Sequence, residues 1–335
     1  MARSFSGIQP SGDIHLGNYL GALRSWVSEQ NRADCFFSIV DLHAITSPQT
    51  PAELRAKTLD TAAILLAIGI DPLASTLFVQ SHVCEHAELA WTLNCLTTLG
   101  ELRRMTQFKD KVSREREIHS SVGLFVYPVL QAADILLYQA DRVLVGADQR
   151  QHLELARTLA GRFNHRFGPT LSLPEAVIPN VGARIMDLQD PRRKMSKSSE
   201  SQRGVIRLAD TPEIIQDKIR SAVTDSGREI IASADKPAIT NLLAIYSTLT
   251  GKDLPVVEDE FARSSYEQFK AALADALIEV SRPIRERYLR WVNSPDEVVR
   301  CLQAGASRAT TIASATLRVV YERMDFLQRQ TIASR

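Results

Sequence analysis

Cys35-Phe36-Phe37-Ser38-Ile39-Val40 is an almost unbroken apolar run. It lacks the polar alternation of a half-solvated strand. A strand of this kind is buried on both faces, as in a parallel sheet covered by helices on either side. Similar short runs recur at Phe5 to Gln9, at Leu77-Phe78-Val79-Gln80 and at Val143-Leu144-Val145. Helical text lies between them. Leu16 to Trp26 reads as a helix. Thr50 caps another that extends to about Gly69, with Pro51 at its first position and Glu53 closing a capping box. Strand and helix therefore alternate, which predicts an α/β fold with a doubly wound, Rossmann-like parallel sheet. Such sheets bind ligands at the carboxyl ends of their strands.

The rhythm changes along the chain. Residues 84–130 interrupt it with mostly helical text, and from about residue 205 the pattern is helical throughout. Asp210-Thr211-Pro212-Glu213 starts one helix, and Ser294-Pro295-Asp296-Glu297 starts another with capping-box spacing. Ile312, Ala315, Val319, Val320, Met324 and Leu327 form an apolar stripe at helical spacing. The expected organisation is a sheet domain over residues 1–200 and a helical domain over residues 205–335.

Composition narrows the class. The chain has 335 residues, 44% hydrophobic and 24% charged, with a net charge of +1. No global field draws nucleic acid, so any such contact must come from local patches. Cys35, Cys84, Cys95 and Cys301 show no metal-ligand spacing and are expected to be reduced, mostly buried thiols. No apolar leader precedes Phe5, and no stretch reaches the ~18 apolar residues of a membrane span. A cytoplasmic enzyme without membrane contact is the expectation.

Two short segments carry the chemistry. Lys194-Met195-Ser196-Lys197-Ser198 is a loop with two lysines, and His15-Leu16-Gly17-Asn18 stands where the chain enters a helix. Lysines supply point charges for phosphates, while hydroxyls and loop amides add donors. Gly17 has no side chain to hold a nucleotide away from the backbone. Asn18 and the helix start offer donors to phosphate or ribose. Gln9, Pro10 and Ser11 follow the first strand, and Gly146, Ala147 and Asp148 follow a later one. Both groups fall where a nucleotide site is expected.

The two segments resemble the HIGH and KMSKS motifs of class I aminoacyl-tRNA synthetases. Phe5-Ser6-Gly7-Ile8-Gln9-Pro10-Ser11-Gly12, Met105-Thr106-Gln107-Phe108-Lys109-Asp110-Lys111, Ala132-Ala133-Asp134-Ile135-Leu136-Leu137-Tyr138, Gly182-Ala183-Arg184-Ile185-Met186 and Ala222-Val223-Thr224-Asp225-Ser226 extend the match. They are similar to the bacterial tryptophanyl branch, from about residue 5 to the last helix. The resemblance implies an enzyme that joins L-tryptophan to ATP as an aminoacyl adenylate and passes the acyl group to tRNA(Trp). Lys194, Lys197 and Lys111, with Lys109 as a further candidate, would act on the phosphates. Ile185, Met195, Ser196 and Ser198 would flank the nucleotide, and Mg2+ would accompany ATP, held mainly by phosphate and water.

The resemblance also implies the amino-acid pocket. Asp134 would accept the indole N–H. Phe5, Gly7, His43, Tyr127, Gln131, Ile135, Val143 and Val145 would wall the pocket, with Gln149 near the ammonium group. Three positions depart from the family text: His15 stands where Thr is common, Ala147 replaces a carboxylate, and Gln131 replaces Met. Ala147 removes one ribose contact, and Gln131 predicts a more polar pocket rim. By the same resemblance the 84–130 insertion forms a homodimer interface and the helical domain reads the anticodon. One tRNA would then span both subunits. Three alternatives stay open: a tyrosyl enzyme, a synthetase paralogue that regulates without charging tRNA, and a small-molecule nucleotidylyltransferase.

Overall fold

The computed structural model describes residues 2–106, 121–144, 146, 149–177, 185–196 and 201–327. Of the candidate residues, Lys109, Lys111, Val145, Ala147, Asp148, Lys197 and Ser198 lie outside them.

Among the described residues the sheet has five strands: β1 (Arg3–Ile8), β2 (Asp34–Ile39), β3 (Thr76–Val79), β4 (Arg142–Leu144) and β5 (Glu175–Val177). Their order is β3-β2-β1-β4-β5 and every pairing is parallel. Phe5 lies opposite Phe36 on one side and Val143 on the other. β1 is thus central, and the chain order reverses across it. Ligands collect at such a switch point, because neighbouring loops leave in opposite directions and open a crevice.

The apolar runs bury both faces, as their lack of alternation requires. Phe5, Phe36 and Phe78 join a core against helices Glu85–Asn94, Val122–Leu136 and Arg150–Phe167. Cys35, Phe37, Ile39, Leu77 and Val79 face the opposite core, with helix Pro51–Ile68. That helix begins on the predicted Thr50–Glu53 capping box and ends at Gly69, which adopts φ 109°. Only a residue without Cβ enters that conformation readily.

The helix expected over Leu16–Trp26 is interrupted. It runs α over Leu16–Asn18, π over Tyr19–Leu23 and α again over Arg24–Glu29. After residue 211 the described chain is helical: Pro212–Arg220, Pro237–Thr250, Leu254–Phe261, Tyr266–Val292 and Pro295–Arg323.

The last of these helices crosses β3 closely. A Cβ added at Gly305 would stand 1.8 Å from the Leu77 carbonyl oxygen. Arg308 donates to the carbonyls of Pro72 and Ser75 at 2.6 and 2.9 Å.

Three local expectations are corrected. Ser294 precedes its helix but forms no side-chain cap; its φ −128°, ψ 57° is not the extended geometry that turns a hydroxyl onto the third helical amide. Of the expected stripe on this helix, Val320 is buried and Ile312 and Met324 pack against the core, but the buried face also runs through Val298, Leu302, Gly305, Ala306, Ala309, Ala313, Thr316 and Leu317. Ala315 is exposed, and Leu327 lies beyond the helix and fully exposed. Small residues occupy the middle of this face, Gly305, Ala306, Ala309 and Ala313, where Gly305 lies against the Leu77 backbone. Among the cysteines only Cys35 is buried, and Cys84 and Cys95 are exposed.

Candidate functional site

A cavity of about 320 Å³ opens at the carboxyl ends of β1 and β4. It gathers eleven of the predicted residues: Phe5, Gly7, Gln9, His43, Tyr127, Gln131, Asp134, Ile135, Val143, Gly146 and Gln149. Ser6, Ala22, Trp26, Val40, Thr46 and Leu144 complete the wall. Gly7 is needed for close packing, since a Cβ there would meet the Val40 Cγ1 at 2.9 Å. The wall is largely apolar with a few convergent polar groups, the composition of a small-molecule site.

Asp134 is the one acidic residue in this wall and is almost fully buried. Helix Val122–Leu136 brings it beneath the sheet. His43 Nε2 lies 2.7 Å from its Oδ2; Gln80 Nε2 and His86 Nδ1 each lie 2.6 Å from its Oδ1. An ionised carboxylate only accepts, so each of these nitrogens donates. Behind His86, its Nε2 meets the Tyr138 hydroxyl at 2.8 Å. Burial alone would raise the Asp134 pKa. The attraction of His43 and the hydrogen bonds from both imidazoles outweigh it and hold the carboxyl below its usual range. Burial raises the Tyr127 hydroxyl to about 12. That hydroxyl meets His152 Nε2 at 2.9 Å. At the rim, Gln131 Nε2 donates to Gln149 Oε1 at 3.3 Å.

Several of the other candidates group around the helix start at Leu16. Asn18 Oδ1 accepts from the His15 N–H at 3.2 Å and closes the helix start. A Cβ on Gly17 would stand 3.0 Å from the His15 ring and 3.7 Å from Ile185 Cβ, so Gly17 makes room for an imidazole lying across it. Ile185 and Met195 are buried in one apolar cluster with Leu16 and Leu20. The Met195 N–H donates to the Ile185 carbonyl at 3.0 Å, and Lys194 pairs with Met186 in an antiparallel bridge. Lys194 itself is exposed. Lys194 and Met195 are therefore one arm of a hairpin against Ile185 and Met186, and its base packs on the helix that follows His15.

A second set of ties joins the start of the Leu16 helix to the chain entering the helical half. Leu16 N–H donates to the Ile206 carbonyl at 2.8 Å, and Leu208 N–H donates to the Ile14 carbonyl at 3.2 Å. Asp13 pairs with Arg207 at 2.9 Å and with Lys57. Lys218 bonds Asp210 and the Val205 carbonyl at 2.6 and 2.7 Å. Arg207 thus ties the 205–210 segment to the chain just before the Leu16 helix, and Lys218 ties it to helix Pro212–Arg220.

Sequence reasoning missed Gln80, His86, Tyr138, His152 and Trp26. Gln80 had a signal, since it ends an apolar strand run as the other site residues do. His86 had none: a lone histidine in helical text gives no period and no spacing.

Comparison with known proteins follows the same lines. Residues 1–282 match the family model of the class I tRNA synthetases for tryptophan and tyrosine. The chain is 53% identical to tryptophan–tRNA ligase 2 of Streptomyces avermitilis over 97% of each chain. It is 51% identical to tryptophan–tRNA ligase of Corynebacterium glutamicum over 97% of this chain and 95% of that one. Among solved structures, tryptophanyl-tRNA synthetase of Mycoplasma pneumoniae superposes with a TM-score of 0.88 at 40% identity, over 98% of each chain. The Campylobacter jejuni enzyme, complexed with ADP and tryptophan, superposes with a TM-score of 0.83 at 34% identity, over 97% of this chain and 100% of that one.

Proposed function

The chain belongs to the class I tRNA synthetases of the tryptophan and tyrosine group, and we propose that it is a tryptophan–tRNA ligase. It activates L-tryptophan with ATP to tryptophanyl adenylate and pyrophosphate, then transfers the acyl group to the 3′ end of tRNA(Trp). The observation that carries this reading is the apolar cavity with one buried, oriented carboxylate, Asp134. An indole ring has one N–H to donate and otherwise presents apolar surface, and this wall matches both properties.

The amino acid sits against Phe5, Gly7, Tyr127, Ile135, Val143 and Val145, with its N–H on Asp134 and its ammonium near Gln149. Its carboxylate then faces the Gly17–Asn18 helix start, where ATP lies along Gln9, Pro10, Ser11, Gly146, Ala147 and Asp148. Ile185 and Met195 anchor the hairpin beside the nucleotide. The carboxylate attacks the α-phosphate, and pyrophosphate leaves. Lys194, Lys197 and Lys111, with Ser196 and Ser198, take up the charge that develops on the phosphates. A loop suits groups needed most in the transition state, because binding the ground state equally well would not speed the step. Magnesium enters with ATP as part of the substrate.

The sheet half, residues 1–200, performs this chemistry, and the helical half, residues 205–335, takes the tRNA anticodon. A homodimer is supported by exposed apolar side chains on the interrupting helices: Trp91, Leu99 and Val122. One tRNA then spans both subunits. The reaction takes place in the cytoplasm. Among the described residues no helix is long and apolar enough to cross a membrane.

The test is amino-acid-dependent ATP–pyrophosphate exchange with tryptophan and tyrosine in parallel. The wild type is expected to respond to tryptophan alone. Asp134→Ala removes a hydrogen bond to a charged group and should weaken the tryptophan response about 10- to 100-fold. A larger response to tyrosine would assign the chain to the tyrosyl branch. No response to either would assign it to a regulatory paralogue.

A further inference from the structure

We infer that Gln80 and His86 are positioning residues that occupy one oxygen of Asp134, so that the cavity offers a ligand one fixed hydrogen-bond acceptor. The inference rests on the tryptophan reading above and deepens it by naming what sets the pocket's selectivity.

The argument begins with capacity. Each carboxylate oxygen accepts about two hydrogen bonds in its plane. Oδ1 already takes two, from Gln80 and His86. Among the described residues Oδ2 takes one, from His43. One position on Oδ2 therefore remains. It lies on the His43 side, and His43 and Asp134 both line the cavity. Gln80 and His86 are fully buried and stand behind the carboxylate.

Rigidity follows from where the donors come from. Gln80 opens the 3-10 turn Gln80–His82 that follows β3, His86 is on helix Glu85–Asn94, and His43 is on helix Asp41–Ala44. Three separate elements thus hold one carboxylate. Gln80 also accepts from the Leu42 N–H at 3.2 Å, so the same amide fixes the turn that delivers His43. His86 is fixed in turn by Tyr138, whose ring stacks on Phe36 at 4.6 Å and on Phe5 at 5.6 Å. A carboxylate held this way cannot swing to meet a misplaced donor. A ligand without an N–H at that point leaves a buried charge short of a partner, which discriminates far more strongly than shape.

The experiment compares dissociation constants for tryptophan and for 3-(benzothiophen-3-yl)alanine, which carries sulfur in place of the indole N–H. Wild type, His86→Leu, His86→Asn, Gln80→Leu and Tyr138→Phe are measured, with circular dichroism as the check on folding. Wild type should prefer tryptophan. His86→Leu and Gln80→Leu should each lower that preference about tenfold, with the loss on the tryptophan side. His86→Asn places an amide N–H near the Nδ1 position and should restore most of the preference. Tyr138→Phe leaves the His86–Asp134 bond in place but frees the ring, and should lower the preference about threefold.

Equal weakening of both ligands would assign the two residues a structural role only and overturn the inference. If the leucine variants do not fold, an unchanged preference in Tyr138→Phe overturns it instead. Wild type that binds neither ligand would defeat the tryptophan reading itself, and this inference with it.

Discussion

Asn241 satisfies both main-chain groups of Met186: its Oδ1 accepts from the Met186 N–H at 2.9 Å, and its Nδ2 donates to the Met186 carbonyl at 3.0 Å. Met186 in turn bridges to Lys194. A buried side chain on helix Pro237–Thr250 thus sets the base of the lysine hairpin. Asn241→Leu removes both bonds at similar volume and strands two polar groups, a cost of about 2–4 kcal/mol. Pyrophosphate exchange should slow at saturating substrate by about tenfold. The KM for tryptophan should stay within about twofold, since the indole pocket is untouched. A change in KM alone would count against this coupling.

Gly204 and Asp187 form a second device on the same hairpin. Asp187 Oδ1 accepts from the N–H groups of Gln189 and Asp190 at 2.8 and 3.3 Å. A Cβ on Gly204 would stand 1.9 Å from that oxygen. Gly204→Ala should therefore displace the carboxylate and loosen the turn as Asp187→Ala does. Each variant should slow exchange about tenfold. The double variant should be little worse than either single one, because one change already disables the other's target. Independent, additive losses would separate the two residues.

Glycine positions distinguish close packing from spare freedom. Gly305→Ala would drive a Cβ into the Leu77 peptide, and two backbones cannot yield as a side chain can. The expected loss is about 1–3 kcal/mol, read from the urea midpoint. Gly161, inside helix Arg150–Phe167, has nothing within 4 Å of its added Cβ. Gly161→Ala should be stabilising by up to about 1 kcal/mol, because alanine loses less freedom in a helix.

Acid stability should depend on Glu101. Arg162 reaches it in a two-pronged bond at 2.6 and 3.1 Å, and this bond, before the smaller help of Thr98, lowers its pKa to about 2. The folded value lies below the unfolded one of about 4.3, so the stabilisation is present above that pH and is lost as pH falls towards about 2. Arg162 is 34% exposed, and solvent screening reduces the effect. Glu101→Gln should cost about 0.5–1 kcal/mol at neutral pH. The gap to wild type should close between about pH 4.5 and pH 2 in urea titrations. A gap that persists below pH 2 would assign the loss to packing.

The sheet was legible because its strands are buried on both faces, and Cys35 to Val40 displays that burial without interruption. The pocket was legible because its residues stand at strand ends or in family text. Of the partners of Asp134, His43 was named for the wall and Gln80 left a trace at a strand end, but His86 left none. His86 meets it only after two helices pack, and no one-dimensional pattern encodes that meeting. The last helix misled for a related reason. The middle of its contact surface is alanine and glycine, with Gly305 laid against backbone, while hydrophobic periodicity looks for large side chains. Ser294 likewise has the right neighbours for a cap but the wrong torsion, and torsion follows from where the helix must go.

The crossing of Gly305 over Leu77 bears on how the molecule is made. β3 is an outermost strand, and its free side is closed by a segment that leaves the ribosome long after it. Throughout that interval the nascent chain carries an open strand edge, a template for pairing with other chains. A premature stop before residue 295 would spare every residue proposed for tryptophan and ATP yet leave that edge bare. Such a product should be lost to aggregation or proteolysis before its chemistry matters.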